Sequence, residues 1–201
     1  MSSDYLSANK KLWNDKTKVH VKSKFYDIPG FVAGDSSLNA IELGLLGDIS
    51  GKTILHLQCH FGQDSLSLAR MGAKVTGIDL SDEAIKTAND LNQQLGLDAE
   101  FICCDVLSID QYLTEQYDII FTSYGVTGWL PSLERWGKLI AQFLKPDGQF
   151  LIVEFHPVVW MFDEPVEKIA YSYFNVAPII EEAEGTYTDK EAPIKNIAYY
   201  W

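Results

Sequence analysis

Short apolar runs and stripes of helical period alternate along most of this chain. Residues 53–58 read as an apolar strand between polar flanks, and Phe61-Gly62-Gln63 turns it into a helix carrying Leu66, Leu68, Ala69 and Met71. Gly72 stops that helix, and residues 74–79 form a second apolar strand that ends on a carboxylate, Asp79. Ser81 is a capping residue with Asp82 and Glu83 in the first turn, and Ala84, Ile85, Ala88, Leu91 and Leu95 make the next stripe before Gly96. A third strand over 100–105 again ends on an acid, and a helical turn near 109–113 leads to a fourth, more apolar strand over 117–123. Pro131 suits the first turn of a helix whose Leu133, Trp136, Leu139, Ile140 and Phe143 share a face; residues 145–148 turn the chain into a fifth strand, 149–155. Strict alternation of strand and helix predicts the α/β class: a Rossmann-like, doubly wound, mainly parallel sheet with helices on both faces. A strand, helix and strand with an acid at the second strand's carboxyl end is half of a nucleotide-binding sheet.

The flanks follow other patterns. Residues 5–26 read as two short helices with Leu6, Trp13, Val19, Phe25 and Tyr26 as apolar points. They serve either as a brace or as a lid that brings Trp13, His20 and Tyr26 over the crevice. Residues 38–46 form a further short helix, and 47–51 turn into the first strand. Beyond 157 the β-like runs 169–174, 179–180, 185–188 and 194–201 are broken by Pro178, Pro193 and acidic clusters, as in an insertion over the mouth of a site. The organisation expected is one domain, 1–201, with an extension or lid over 1–50, a core sheet over 51–157 and a β-rich insertion or cap over 158–201.

Composition narrows the partners. A chain of 201 residues, 47% of them hydrophobic, suffices for one real core, and a net charge of -12 disfavours a phosphate-backbone partner. No stretch approaches the roughly 18 apolar residues of a membrane span, and the start carries no basic-then-apolar leader, so a cytoplasmic protein is expected. Three cysteines, two of them adjacent, make no disulfide framework; Cys59, His60 and Cys103 lack paired metal-ligand spacing, so buried thiols and no metal are expected.

These segments carry a family resemblance. Ile-Leu-His-Leu-Gln-Cys-His-Phe-Gly, Val-Thr-Gly-Ile-Asp-Leu-Ser, Cys-Cys-Asp-Val, Tyr-Asp-Ile-Ile-Phe-Thr-Ser and Leu-Lys-Pro-Asp-Gly-Gln-Phe, in this order and spacing over 5–165, resemble class I S-adenosylmethionine-dependent methyltransferases of the small-molecule type with an N-terminal helical extension. The family's first loop usually reads D-x-G-x-G-x-G, and here His56, Gln58, His60 and Gly62 hold those positions. The resemblance implies S-adenosyl-L-methionine as cofactor, with Gln58, His60 and Gly62 beside its methionine part. Asp79 would take the ribose hydroxyls, Leu80 would face the adenine, and Asp105 would accept from its amino group with Val106 alongside. Ser123 would lie where the methyl group emerges. The plainer readings are a helix cap for either acid and a core histidine for His56. A nicotinamide dinucleotide is the weaker cofactor, since Asp64 in the first helical turn repels a pyrophosphate while a sulfonium and an ammonium suit it.

Methyl transfer is an in-line displacement at carbon and needs no covalent nucleophile. Enzymes of this type that methylate the amino groups of bases or glutamine carry an Asn/Asp-Pro-Pro-aromatic motif after the fourth strand. Ser123-Tyr-Gly-Val126 stands there instead, which, with the acidic surface, argues for a small-molecule acceptor. Aromatics at Tyr124, Trp129, Trp160, Phe162, Tyr171, Tyr173 and Phe174 suit an apolar or planar one, with Trp13, His20, Tyr124 and Trp129 as contacts. His156, after the fifth strand, is the expected base for a hydroxyl or thiol, and His20 the second choice. The competing function is a non-catalytic S-adenosylmethionine-binding or scaffold protein of the same fold; an NAD-dependent oxidoreductase ranks below it. The family's fold carries two further strands after the fifth, so a bare fifth-strand edge implies a shortened chain or a homo-oligomer covering it.

Overall fold

The computed structural model describes residues 4–163, 166–175 and 177–201. Three helices lead in: α1 (Asp4–His20), α2 (Ile28–Ala33) and α3 (Ala40–Leu46). The core then runs β1 (Thr53–Leu57), α4 (Gln63–Arg70), β2 (Lys74–Asp79), α5 (Asp82–Leu95), β3 (Glu100–Cys103), β4 (Tyr117–Ser123), α6 (Leu133–Phe143) and β5 (Leu144–Val153). Short 3-10 turns at Val106–Gln111, Thr127–Trp129 and Pro157–Met161 follow β3, β4 and β5. The five strands form one parallel sheet in the order β3-β2-β1-β4-β5. The chain winds outward from β1 in one direction and then returns to place β4 on its other side. That reversal opens a crevice at the carboxyl ends of β1 and β4, where ligands of open α/β sheets bind.

Period-two alternation sends each strand's side chains to two separate cores. Ile54, Val75, Ile119 and Phe121 pack with Leu66 and Leu68 of α4 and Leu91 of α5, whereas Leu55, Leu57, Ile78 and Ile120 pack with Trp136, Leu139 and Phe143 of α6. Both faces are therefore covered. The Ser81 hydroxyl accepts from the Ala84 amide at the start of α5, and Gly96 ends that helix in the left-handed conformation, both as the sequence predicts.

Four expectations need correction. The N-terminal segment holds one 17-residue helix rather than two short ones; α1 buries Asn9, Lys16, Thr17 and His20 beside Leu12, a face that an apolar stripe does not mark. Asn9 donates to the Tyr199 carbonyl at 3.0 Å and accepts from the Tyr199 amide at 2.9 Å, an amide side chain standing in for a neighbouring strand. Asn14 accepts from the Ser81 hydroxyl at 2.6 Å, tying α1 to the head of α5. Secondly, Pro131 lies outside α6; Ser132 caps it, accepting from the Arg135 amide at 3.1 Å. Thirdly, residues 145–148 form a bulge inside β5, since Tyr117 pairs with Leu144 while Ile119 pairs with Gln149. Fourthly, 169–174 contribute an isolated bridge at Ile169 and no strand; the C-terminal segment folds as an antiparallel hairpin of β6 (Ile179–Glu184) and β7 (Lys195–Tyr200) against α1.

Among the described residues β5 pairs only with β4, so its outer edge is open and Ile152 is 39% exposed. No helix among the described residues is long and apolar enough to cross a membrane.

Candidate functional site

A crevice of about 1930 Å³ lies over the carboxyl ends of β1 to β4. Its floor begins where β1 ends. Gln58 (φ 55°) and His60 (φ 51°) both adopt the left-handed conformation usually left to glycine, so the backbone makes a glycine-loop turn while keeping two polar side chains. The position of Gly62 (φ 79°) suits glycine on two counts, its left-handed backbone and its close packing: a Cβ there would stand 2.7 Å from the Phe101 ring.

The turn is fastened to the end of β2. The His60 amide donates to Asp79 Oδ2 and the Ser81 amide to Asp79 Oδ1, each at 2.8 Å. Burial outweighs these donors and raises the Asp79 carboxyl to about 6. Asp105 accepts from the Leu107 amide at 3.0 Å, so it caps the 3-10 turn while also lining the crevice; burial raises its carboxyl as well. Leu80 and Val106 line the same wall. At the β4 end the Ser123 hydroxyl donates to Asp64 Oδ2 at 3.1 Å. Tyr124 (φ 44°) accepts from Asn39 at 3.2 Å and donates to Glu42; burial and that carboxylate push its hydroxyl up to about 12. Gln58 Nε2 donates to the Val126 carbonyl at 3.2 Å, which leaves Gln58 Oε1 buried without a partner among the described residues.

The roof is aromatic and joins both ends of the chain. Trp13 of α1 meets His60 edge-on at 5.4 Å and Trp129 at 5.1 Å, and the Lys16 ammonium lies 5.1 Å from the Trp13 ring centre and 5.5 Å from that of Trp129. His20 Nδ1 pairs with His60 Nε2 at 2.9 Å, while its Nε2 pairs with Thr186 in the loop between β6 and β7. Tyr26 and Tyr187 close the layer through their hydroxyls. Burial holds His20 down to about 3 and His60 well below the usual imidazole range, so both rings are neutral at pH 7. His56 is a core residue, paired with Ser65 at 2.8 Å and depressed to about 3 by burial.

The crevice thus brings together Gln58, His60, Gly62, Asp79, Leu80, Asp105, Val106 and Ser123, with Trp13, Tyr124, Trp129 and Trp160 around them. Other sequence-based candidates lie elsewhere. His156 is exposed, accepts from the Val158 amide at 3.2 Å as the cap of a 3-10 turn, and does not line the crevice. His20 is wholly buried behind His60 and does not line it either, nor do Phe162, Tyr171, Tyr173 and Phe174. Glu154, two residues before His156, is the group sequence reading missed. Its carboxylate accepts from the amides of Gly125 (2.5 Å), Val126 (2.7 Å), Thr127 (3.1 Å) and Phe155 (2.7 Å), and so shapes the loop after β4. The signal was present: like Asp79 and Asp105, it is an acid at the end of an apolar strand.

A parallel sheet wound outward from β1, with acids closing β2 and β3 over a crevice, defines a Rossmann-like domain for a nucleotide-type ligand. Residues 54–148 match the family model described as a methyltransferase domain. The ubiquinone biosynthesis O-methyltransferase of Salmonella paratyphi A is 29% identical over 133 residues, 64% of this chain and 54% of that protein. The chain therefore spans about half the length of the curated relatives it matches. Two solved structures share the fold: an S-adenosylmethionine-dependent methyltransferase from Mesorhizobium loti (21% identity, TM-score 0.55, covering 65% of this chain and 59% of that one) and another from Clostridium acetobutylicum (19%, 0.50, 67% and 52%). Residues 54–148 are thus similar to a methyltransferase domain, and the sheet shares the fold of S-adenosylmethionine-dependent methyltransferases.

Proposed function

We propose that this chain binds S-adenosyl-L-methionine and transfers its methyl group to a small-molecule acceptor. The observation that carries this reading is Asp79, a carboxylate fixed by backbone amides at the end of β2 and facing the crevice. An ionised carboxylate offers about four acceptor directions, so capacity remains for a vicinal diol. The rest of the floor fits the same ligand. Gln58 Oε1 and His60 Nδ1 are buried polar atoms without partners among the described residues, as expected where a polar ligand completes the site. Leu80 and Val106 offer an apolar slot for a flat base, with Asp105 at its rim.

When bound, the donor supplies an electrophilic methyl carried on a sulfonium. The chain's own residues hold it by Asp79 and by the turn at 58–62, and the Trp13, Trp129 and His60 layer keeps water from the reacting end. Tyr124, Trp129 and Trp160 favour an apolar or planar acceptor. Neither His156 nor His20 reaches the crevice, so this reading assigns no side-chain base to them and rests on positioning. Calorimetry with S-adenosylmethionine and S-adenosylhomocysteine tests it: micromolar or tighter binding of both is expected, and binding of neither would overturn it. We also infer that a second copy covers the open edge of β5. Light scattering that gives a monomer, together with full hydrogen-exchange protection of 149–153, would rule that out.

A further inference from the structure

The end of the crevice between β1 and β4 holds a carboxylate to which the proposed function gives no part in holding the ligand. Asp64, in the first turn of α4, is enclosed by protein yet opens on the crevice. Among the described residues its hydrogen bonds come from the hydroxyls of Ser123 and Ser37. Among the described residues no salt bridge reaches it. The charge that acts on it is another acid: Glu42 is 1% exposed, its Oε2 has no hydrogen-bond partner among the described residues, and its charge adds to the burial that raises the Asp64 carboxyl. Gln58 contributes a third acceptor, because its amide nitrogen is committed to Val126 and its Oε1 is left over.

Among the described residues, then, this end of the site holds acidic side chains and spare acceptors with no salt-bridged cation. Buried carboxylates in that condition are costly unless a positive group completes them. The ligand's orientation indicates which group arrives. With the ribose at Asp79 and the methionine part along 58–62, the amino-acid end of the donor would lie toward the first turn of α4. We propose that Asp64 is the counter-ion for the ammonium of the bound methyl donor, with Glu42 strengthening the field behind it and Gln58 Oε1 accepting beside it. The assignment rests on the cofactor reading above. It also gives the chain a reason to prefer the donor over a nucleotide whose far end is anionic.

The test compares Asp64→Asn with the wild type by calorimetry against three probes. S-adenosylmethionine carries ammonium and sulfonium, S-adenosylhomocysteine keeps only the ammonium, and 5′-methylthioadenosine lacks both. The expected result is a loss of about 10- to 100-fold for the first two, one charge-assisted hydrogen bond, and less than about threefold for the third. Unchanged affinity for S-adenosylhomocysteine in the variant would overturn the proposal, and loss confined to S-adenosylmethionine would move Asp64 to the sulfonium instead. An equal loss for all three would make Asp64 structural and overturn it too. Unchanged donor binding with weakened binding of a cationic acceptor would assign the carboxylate to the acceptor. A wild type that binds none of the probes would instead remove the cofactor reading itself, and this proposal with it. Should Asp64→Asn fail to fold, Glu42→Gln carries the same test, with a several-fold loss expected for the two ammonium-bearing probes alone.

Discussion

The floor and the roof of the crevice are assembled by opposite means. On the floor, Asp79 is held by Ser81 two residues away and by His60 nineteen residues away, through backbone amides that any side chain would supply. In the roof, His20 is held by His60 at a separation of 40 residues and by Thr186 at 166, through side chains alone. The floor tolerates changes of sequence that keep its turns, whereas each member of the roof is specified by the others. The two also respond to pH with opposite sign. Asp79 has a raised carboxyl, so the stability it contributes is present at acid pH and is lost as pH rises through about 6. His20, His56 and His60 have lowered values, so what they contribute is present above about 6.5 and is lost as pH falls below it.

The sharpest way to break this comparison is at the floor's anchor. Asp79→Ala should remove two charge-assisted hydrogen bonds to the ligand, about 1.5–3 kcal/mol each, and weaken S-adenosylhomocysteine by at least about 100-fold in a folded protein. Unchanged affinity in calorimetry would withdraw the ribose assignment. Next comes the roof. Each neutral histidine costs about 1 kcal/mol over the first pH unit below its ordinary value, so the three together should remove about 3 kcal/mol between pH 6.5 and 5.5, offset in part by Asp79. Urea unfolding across that range measures it, and His20→Gln should take away about a third of the slope; a flat profile would mean that these rings are accessible to protons. A smaller effect is expected from Gly62→Ala, about 2 kcal/mol of destabilisation, from the left-handed backbone and from displacement of the Phe101 ring. Last, nicotinamide dinucleotides should leave the thermal midpoint unmoved, while S-adenosylhomocysteine raises it by mass action. The reverse pattern would exchange the cofactor.

What could be read from the sequence follows the same division. The limits of β2 and β4, the Ser81 cap, the Gly96 stop and the acids closing β2 and β3 are local events, visible as changes of polarity or as capping residues. Helix α1 was divided in two because its buried positions include Asn9, Lys16, Thr17 and His20, which a hydropathy pattern assigns to solvent. Asn9 finds its partner on β7 and His20 one of its own in the loop between β6 and β7, and no spacing in the chain announces that pairing. The bulge at 145–148 looked like a turn because Pro and Gly mark both, and only the register of β4 separates them. Gln58 and His60 concealed their left-handed backbone because residues of their kind seldom adopt it. His156 was favoured for its position after β5, while Glu154, the strand-ending acid beside it, obeyed the rule already applied to Asp79.

The bond between His20 and Thr186 also has a kinetic consequence. Closing a loop of 166 residues costs about 2 kcal/mol more in chain entropy than closing the 19-residue loop between His60 and Asp79. The sheet should therefore form first and the roof latch onto it afterwards, with the first and last segments arriving as the closing step of folding. Pulse-labelled hydrogen exchange during refolding would show 53–57 protected well before 195–200. A ligand that enters before the latch closes would then be enclosed by the last act of folding, and each later opening of that latch would be a local unfolding of the chain's two ends.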